Sequence, residues 1–331
     1  MGPTTTGNQT TSAIRIESVG GPEVMRLVDL PVPRPGVGEL LVEVAAAGVN
    51  FIDTYHRSGL YELPLPTGLG QEGAGTVVAK GDGTEGFAVG DRVAWCGSGG
   101  SYAQTAVVPA AVAIPVPDDI SIEVAAAVPL QGMTAHYLAT DCPRLKPGDR
   151  CLVHAAAGGT GRLLVQMAKL RGAEVVATVG SDDKAALARS AGADHVVNYT
   201  TTDLVAGVEA AVGADSIDVV YDGVGAAVYD DSLRLLRPRG AMVTFGNASG
   251  PVEPKPPLHL MGKSLWLTRP TLWSFISERS ELEARAAELF GWISSGELEV
   301  RIAARVPLAE APEAHRLIQS RHAAGKILLI C

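Results

Sequence analysis

A chain of 331 residues, 47% hydrophobic and 19% charged, is long enough for about two domains of roughly 150 residues each and can bury a large core. Its 27 basic and 36 acidic residues leave a net charge of −9 and a pI near 5.3, which speaks against nucleic acid or an anionic membrane surface as a partner. The sequence holds no long uncharged apolar run of the kind a membrane helix needs. The opening dozen residues, rich in Thr and Gly, lack the charged and apolar segments of a signal peptide and read as a disordered tail over 1–12. Cys96, Cys142, Cys151 and Cys331 stand singly, with neither a disulfide framework nor a metal-ligand spacing, which fits a reducing cytoplasmic setting.

Taken in order, Ala13–Glu17 alternates apolar and polar residues as a first strand, and Val32–Gly36 is a Pro/Gly turn. Glu39–Val49 reads as a half-buried strand, and Asn50–Leu60 as the site of a short helix. Glu72–Ala79, Arg92–Cys96, Ala103–Pro109 and Val112–Pro117 are further short strands separated by Gly, Pro and Asp. Such a run of short strands predicts an antiparallel, partly closed barrel. Ser121 then caps a helix, Thr134–Thr140 continues helically, and from Arg150 strands and helices alternate. The strands are Cys151–His154, Glu174–Val179, His195–Asn198, Ile217–Tyr221, Ala241–Phe245 and Ser264–Thr268. The helices between them are Arg162–Arg171, Asp182–Ala191, Thr202–Val212 and Ala226–Leu236. Right-handed crossovers arrange these as an open six-stranded parallel sheet of order 3-2-1-4-5-6. After an amphipathic helix over Ser280–Ser295, Val300–Val306, Leu308–Arg321 and Lys326–Ile330 form a strand, a helix and a strand expected to rejoin the first domain. The predicted boundaries are therefore 13–125 with 300–331 for the barrel domain, and 126–299 for a nucleotide-binding domain.

The chemistry concentrates after Cys151-Leu152-Val153. Ala156-x-Gly158-x-x-Gly161 is a G-x-G-x-x-G turn with Ala in the first place, between a buried strand and a helix. Gly158 lets the backbone approach a pyrophosphate, Gly161 lets helix and strand pack closely, and the helix N-terminus faces the phosphates. The second strand ends about 20 residues later, where ribose recognition falls. It continues as Gly180-Ser181-Asp182-Asp183-Lys184. An NAD enzyme carries an acidic residue there. Here the small Gly180 and Ser181 leave room for a 2′-phosphate and Lys184 can pair with it, which favours NADPH over NADH. Asp182 and Asp183 are either helix-start charges or a weakness in phosphate binding.

With both halves in view, the chain resembles the medium-chain dehydrogenase/reductase family, and within it the zinc-free quinone oxidoreductase, zeta-crystallin-like branch. The stretches that carry the likeness are Ala46–Tyr61, Gly68–Gly75, His154–Gly161, Phe245–Gly250 and Thr268-Arg269-Pro270. The resemblance implies a GroES-like, partly closed barrel plus a Rossmann doubly wound sheet, and a homodimer. Zinc members of the family place Cys where Asn50 stands and His where Gln71 stands. Neither replacement offers the thiolate or imidazole of a catalytic zinc, and no cysteine lobe follows Cys96, so no metal is expected. His56, His136 and His154 are read as surface or structural residues.

Without a Lewis acid a simple ketone is hard to polarise, whereas a quinone or an α,β-unsaturated carbonyl is already electrophilic. The implied activity is NADPH-dependent reduction of a quinone by hydride transfer, with positioning doing most of the catalysis. A 2-alkenal or enone reductase and a nucleotide-binding, crystallin-like protein with little turnover are the alternatives. By resemblance, Lys184, Tyr199 and Arg321 surround the 2′-phosphate, while Gly159 and Thr160 present backbone N–H groups to the pyrophosphate. Asn50 and Thr54 lie on the nicotinamide side, and Thr134 lies near its ribose. Phe245, Gly246 and Asn247, with Thr268 and Arg269, border the carboxamide. Asn50, Tyr55 and Tyr61 are the candidates at the acceptor, where phenols can hydrogen-bond an oxygen and rings can stack on a flat molecule.

Overall fold

Strand β1, Thr10–Ile16, buries Thr11, Ile14 and Ile16 and pairs antiparallel with β2, Arg26–Pro31. The computed structural model describes residues 10–331. Residues 10–12 therefore belong to a strand rather than to a tail; the rest of the expected tail, 1–9, lies outside the described residues. β2 was not expected from its sequence, where Arg26, Asp29 and Pro31 dilute the apolar pattern; it is an edge strand, where such residues are tolerated. β3, Glu39–Val49, leads through Asn50 into helix α1, Phe51–Ser58, which stops at Gly59 in the left-handed conformation, φ 82°. The following strands are β4 (Thr67–Gly68), β5 (Glu72–Lys80), β6 (Arg92–Cys96), β7 (Thr105–Pro109) and β8 (Ala113–Pro115). Helix α2, Ile122–Ala127, begins at Ser121, whose hydroxyl accepts from the Val124 N–H. Helix α3, Pro129–Thr140, follows.

The Rossmann elements come next: β9 (Arg150–Val153), α4 (Gly159–Leu170), β10 (Glu174–Val179), α5 (Asp182–Ser190), β11 (His195–Asn198), α6 (Leu204–Val212), β12 (Ile217–Asp222), α7 (Tyr229–Leu235), β13 (Leu236–Thr244) and β14 (Trp266–Thr268). They form one parallel six-stranded sheet of order β11-β10-β9-β12-β13-β14, the order the crossover rule requires. β13 begins at Leu236, the last residue of an expected helix, rather than at the expected Ala241, and Pro238 in it could not supply a helical N–H. β14 starts two residues late because Ser264 takes a left-handed conformation, φ 51°. Leu152, Val176, Val220 and Met242 from four of these strands are fully buried in one cluster, each contributing roughly 1.5–3 kcal/mol.

Helix α8, Arg279–Ser294, strand β15, Ile302–Pro307, helix α9, Ala311–Gln319, and strand β16, Lys326–Ile330, complete the chain. The chain divides into two compact units. The first runs to Leu130 and includes Leu282–Ser294 and Ile302–Cys331; the second comprises Gln131–Glu281 and Ser295–Arg301. The body of α8 thus groups with the first unit, although the sequence suggested the second. β15 and β16 join a seven-stranded sheet of order β15-β16-β3-β5-β6-β8. One edge of β3 takes β5; the other takes β16 along Ala46–Val49 and β7 along Glu39–Glu43. The strand path does not return to its first member, so the barrel stays open in hydrogen bonding. Its core gathers Leu40, Val42, Val77, Val93 and Trp95.

Candidate active site

In the second unit the expected dinucleotide residues sit at the carboxyl ends of parallel strands, the edge at which such sheets bind ligands. The turn after β9 places Ala155 in the left-handed region, φ 51°, and delivers Gly158 as the N-cap of α4. A Cβ on Gly161 would lie 2.4 Å from the Ala155 carbonyl, so only glycine lets this helix start so close to its strand. A twelve-residue helix beginning at Gly159 presents the unpaired N–H groups of its first turn. Below the turn, His154 is fully enclosed, with Thr178 Oγ1 2.8 Å from Nδ1 and Ser232 Oγ 2.9 Å from Nε2. Burial pushes its pKa down to about 4, so it is a neutral support for the loop rather than an acid–base group.

After β10, Ser181 accepts from the Lys184 N–H at 3.3 Å and caps α5. Asp182, which could have opposed a phosphate, instead accepts from Asn198 Nδ2 at 2.9 Å. Tyr199 follows β11, is 47% exposed, and lies so close to Gly180 that a Cβ there would meet its hydroxyl at 2.7 Å. Gly180, Ser181 and Tyr199 therefore lie at one corner, with Lys184 in the first turn of the helix that Ser181 caps. Arg269 donates to Thr244 Oγ1 and to the Gly246 carbonyl, both at 3.1 Å, which joins the turn after β13 (Phe245, Gly246, Asn247) to the one after β14 (Thr268, Arg269). Thr134 is buried on α3. This backbone cradle and its cationic corner fit a dinucleotide with a 2′-phosphate.

The remaining candidates belong to the first unit. Asn50 is the N-cap of α1, and its N–H donates to Asp53 Oδ2 at 2.8 Å. The buried Thr54 hydroxyl donates to the Phe51 carbonyl at 2.7 Å. Tyr55 and Tyr61 meet edge to face, ring centroids 5.2 Å apart, with Phe51 6.3 Å from Tyr55. Arg321 is exposed in the turn after α9, with φ 60°.

Two charged residues that the sequence did not single out complete this half. Strand register brings them together: β16 sets Ile327 opposite Val49, and β5 sets Gly73 opposite Ala47. Lys326 and Glu72 thereby converge on Asn50. The Asn50 amide nitrogen donates to Glu72 Oε2 at 2.8 Å and to the Gly48 carbonyl at 3.2 Å, and its oxygen accepts from Lys326 Nζ at 2.8 Å. Lys326 and Glu72 also form an ion pair, at 2% and 0% side-chain exposure. A Cβ on residue 48 would fall 2.2 Å from Glu72 Oε2, so Gly48 makes the space for this carboxylate. A second chain of contacts leads away from Asp53. Tyr102 donates to Asp53 Oδ2 at 3.0 Å, His315 Nε2 lies 3.1 Å from the Tyr102 hydroxyl, and Arg57 NH1 lies 3.1 Å from His315 Nδ1. Because Arg57 can only donate, His315 carries its proton on Nε2 and passes it as a donor to Tyr102. Burial raises the Asp53 pKa to about 7.

Zinc does not fit these residues. Asn50 is spent on Glu72 and Lys326, Gln71 supplies no thiolate or imidazole, and the Lys326 ammonium beside the Glu72 carboxylate repels a cation. Among the described residues no group of three or more His, Cys, Asp or Glu is disposed to hold a metal.

Family models match in both halves: the alcohol dehydrogenase GroES-like domain over residues 36–118 and the zinc-binding dehydrogenase domain over 159–291. A quinone oxidoreductase of Salmonella typhimurium is 45% identical over 325 residues, covering 96% of this chain and 99% of that protein. A 2-haloacrylate reductase of a Burkholderia species is 39% identical, covering 95% and 97%. The structure of Escherichia coli quinone oxidoreductase complexed with NADPH superposes with a TM-score of 0.95 at 42% identity, covering 97% of this chain and all of that one. The chain belongs to the medium-chain dehydrogenase/reductase family, in its quinone oxidoreductase branch.

Proposed function

We propose that this protein is an NADPH-dependent quinone oxidoreductase that needs no metal. When bound, NADPH supplies the hydride that reduces the acceptor. Gly158, Gly159, Thr160 and Gly161 receive the pyrophosphate, with Ala156 leading the turn. Gly180, Ser181, Lys184 and Tyr199, with Arg321, receive the 2′-phosphate. Asn50, Thr54, Thr134, Phe245, Gly246, Asn247, Thr268 and Arg269 hold the nicotinamide end. Tyr55 and Tyr61 hold the acceptor, their perpendicular rings offering a face for stacking and an edge with a hydroxyl. Reducing a quinone to its hydroquinone takes one hydride and one proton, and water supplies the proton.

The observation that carries this reading is the commitment of Asn50 to Glu72 and Lys326, which leaves hydride acceptance to a substrate already electron-poor. The 2-haloacrylate reductase relative supports a second reading, reduction of an activated carbon–carbon double bond. Steady-state rates with a quinone panel and an enal panel separate the two: higher kcat/KM on quinones supports the first, and a preference for enals replaces it with the second. Tight NADPH binding without turnover of any acceptor would instead favour a nucleotide-binding protein of crystallin type.

Two further features belong to this proposal. None of the four cysteines forms a disulfide, and Cys96 and Cys151 are fully buried, which fits a reducing cytoplasm. A homodimer is supported by the sheet edge at β14, where Trp266 is 72% exposed and Leu258 and Met261 are each 68% exposed.

A further inference from the structure

In a dinucleotide-binding fold an acidic residue about 20 residues beyond the glycine turn accepts from the 2′-hydroxyl of NADH. Asp182 stands at about that distance from Gly161, as the first residue of α5. An unoccupied carboxylate there would favour NADH and repel a 2′-phosphate. This one is occupied. Parallel pairing sets Asn198, the last residue of β11, opposite Val179, the last residue of β10. From there the Asn198 side chain reaches the start of α5, where its Nδ2 donates to Asp182 Oδ1 at 2.9 Å.

The other side of the amide fixes its orientation. Asn198 Oδ1 accepts from the Thr200 N–H at 3.1 Å and from the Thr200 hydroxyl at 2.7 Å. A backbone N–H only donates, so the amide oxygen stays on the Thr200 side and the nitrogen faces Asp182. The turn itself requires only an acceptor. An Asp at 198 would make the same turn but repel Asp182, and the hydroxyl of a Ser or Thr would end one bond short of it. The turn therefore accounts for the amide oxygen of Asn198 and not for its nitrogen.

We infer that Asn198 is a specificity-determining residue of the coenzyme site: by donating to Asp182 it keeps that carboxylate from accepting a 2′-hydroxyl and from opposing a 2′-phosphate, and so tilts the corner toward NADPH. The inference rests on the assignment of this corner to the 2′-phosphate made above. Asn198 acts through Asp182, as a positioning residue, and not by touching the coenzyme.

The test measures NADPH and NADH dissociation constants by fluorescence titration for wild type, Asn198→Ser, Asp182→Asn and the double variant, with thermal unfolding of each. Serine keeps the turn by accepting from the Thr200 N–H, so Asn198→Ser should unfold within a few degrees of wild type. Its NADPH dissociation constant should rise about fivefold, while that of NADH does not rise. In the Asp182→Asn background the same change should have no effect, so the double variant should bind both coenzymes as Asp182→Asn does. Equal losses for both coenzymes, or no loss for either, overturn the inference. So does an NADPH-specific loss that persists in the double variant, which would place the effect in the neighbouring Tyr199 and not in Asp182. If wild type binds NADPH no more tightly than NADH, the assignment of the corner falls and takes the inference with it. Should Asn198→Ser not fold, Asn198→Thr makes the same turn and carries the same expectation.

Discussion

At the scale of single residues, the coenzyme corner makes the clearest demands. On the proposed reading Lys184 meets the 2′-phosphate, and Asp182 beside it accepts from Asn198. Lys184→Ala removes one charge-assisted hydrogen bond, roughly 1.5 kcal/mol, so the NADPH dissociation constant should rise about tenfold while that of NADH barely moves. Equal losses for both coenzymes would contradict a 2′-phosphate site. Gly161→Ala tests the loop itself. Its Cβ would sit 2.4 Å from the Ala155 carbonyl, so strain of about 1–3 kcal/mol is expected and should appear in the denaturation midpoint. The strand, glycine turn and helix at β9–α4 were legible because they lie within a few consecutive positions. Glu72 and Lys326 were not, since 254 residues separate them and only the register of β16, β3 and β5 makes them neighbours. The available signal was a lysine heading the wholly apolar run Ile327–Ile330.

At the scale of elements, α1 carries Thr54 and Tyr55 and is anchored by Asp53. This carboxyl touches the Asn50 N–H and the Tyr102 hydroxyl, with Lys326 and Glu72 as the charges nearest it, and its Oδ1 is buried without a partner. Burial raises its pKa from 3.8 to about 7. A carboxyl that holds its proton more tightly when folded opposes folding as it ionises. Stability should therefore be highest near pH 4, fall as pH rises toward about 7, and then level off, at about 1.4 kcal/mol per pH unit across the window. Asp53→Asn imitates the protonated form, so its melting temperature should lose this dependence and exceed the wild-type value at pH 8. A wild-type stability that rises between pH 5 and 7 in step with the variant would contradict the assignment. The parallel strands were read closely from sequence, because strands buried on both faces are unbroken apolar runs. β2 and the two-residue β4 were missed, since an edge strand and a short bridge carry too little pattern.

At the scale of the whole molecule, the exposed edge at β14 makes the proposed homodimer testable. Trp266→Lys places a charge at the edge strand, where it should oppose association, and light scattering after size exclusion should then report the monomer mass. A dimer of unchanged stability would move the interface elsewhere. The open sheet of the first unit also shows what sequence order cannot give. β3 splits one edge between β7 and β16, and that arrangement depends on residues hundreds of positions apart.

The central claim is that a reducing nucleotide and an electron-poor acceptor suffice without a metal, the Asn50 side chain being held by Lys326 and Glu72. It is tested most directly by NADPH-dependent quinone turnover of the purified protein before and after exhaustive treatment with a zinc chelator. Unchanged kcat and KM are expected. Loss of turnover that added zinc restores would contradict the account.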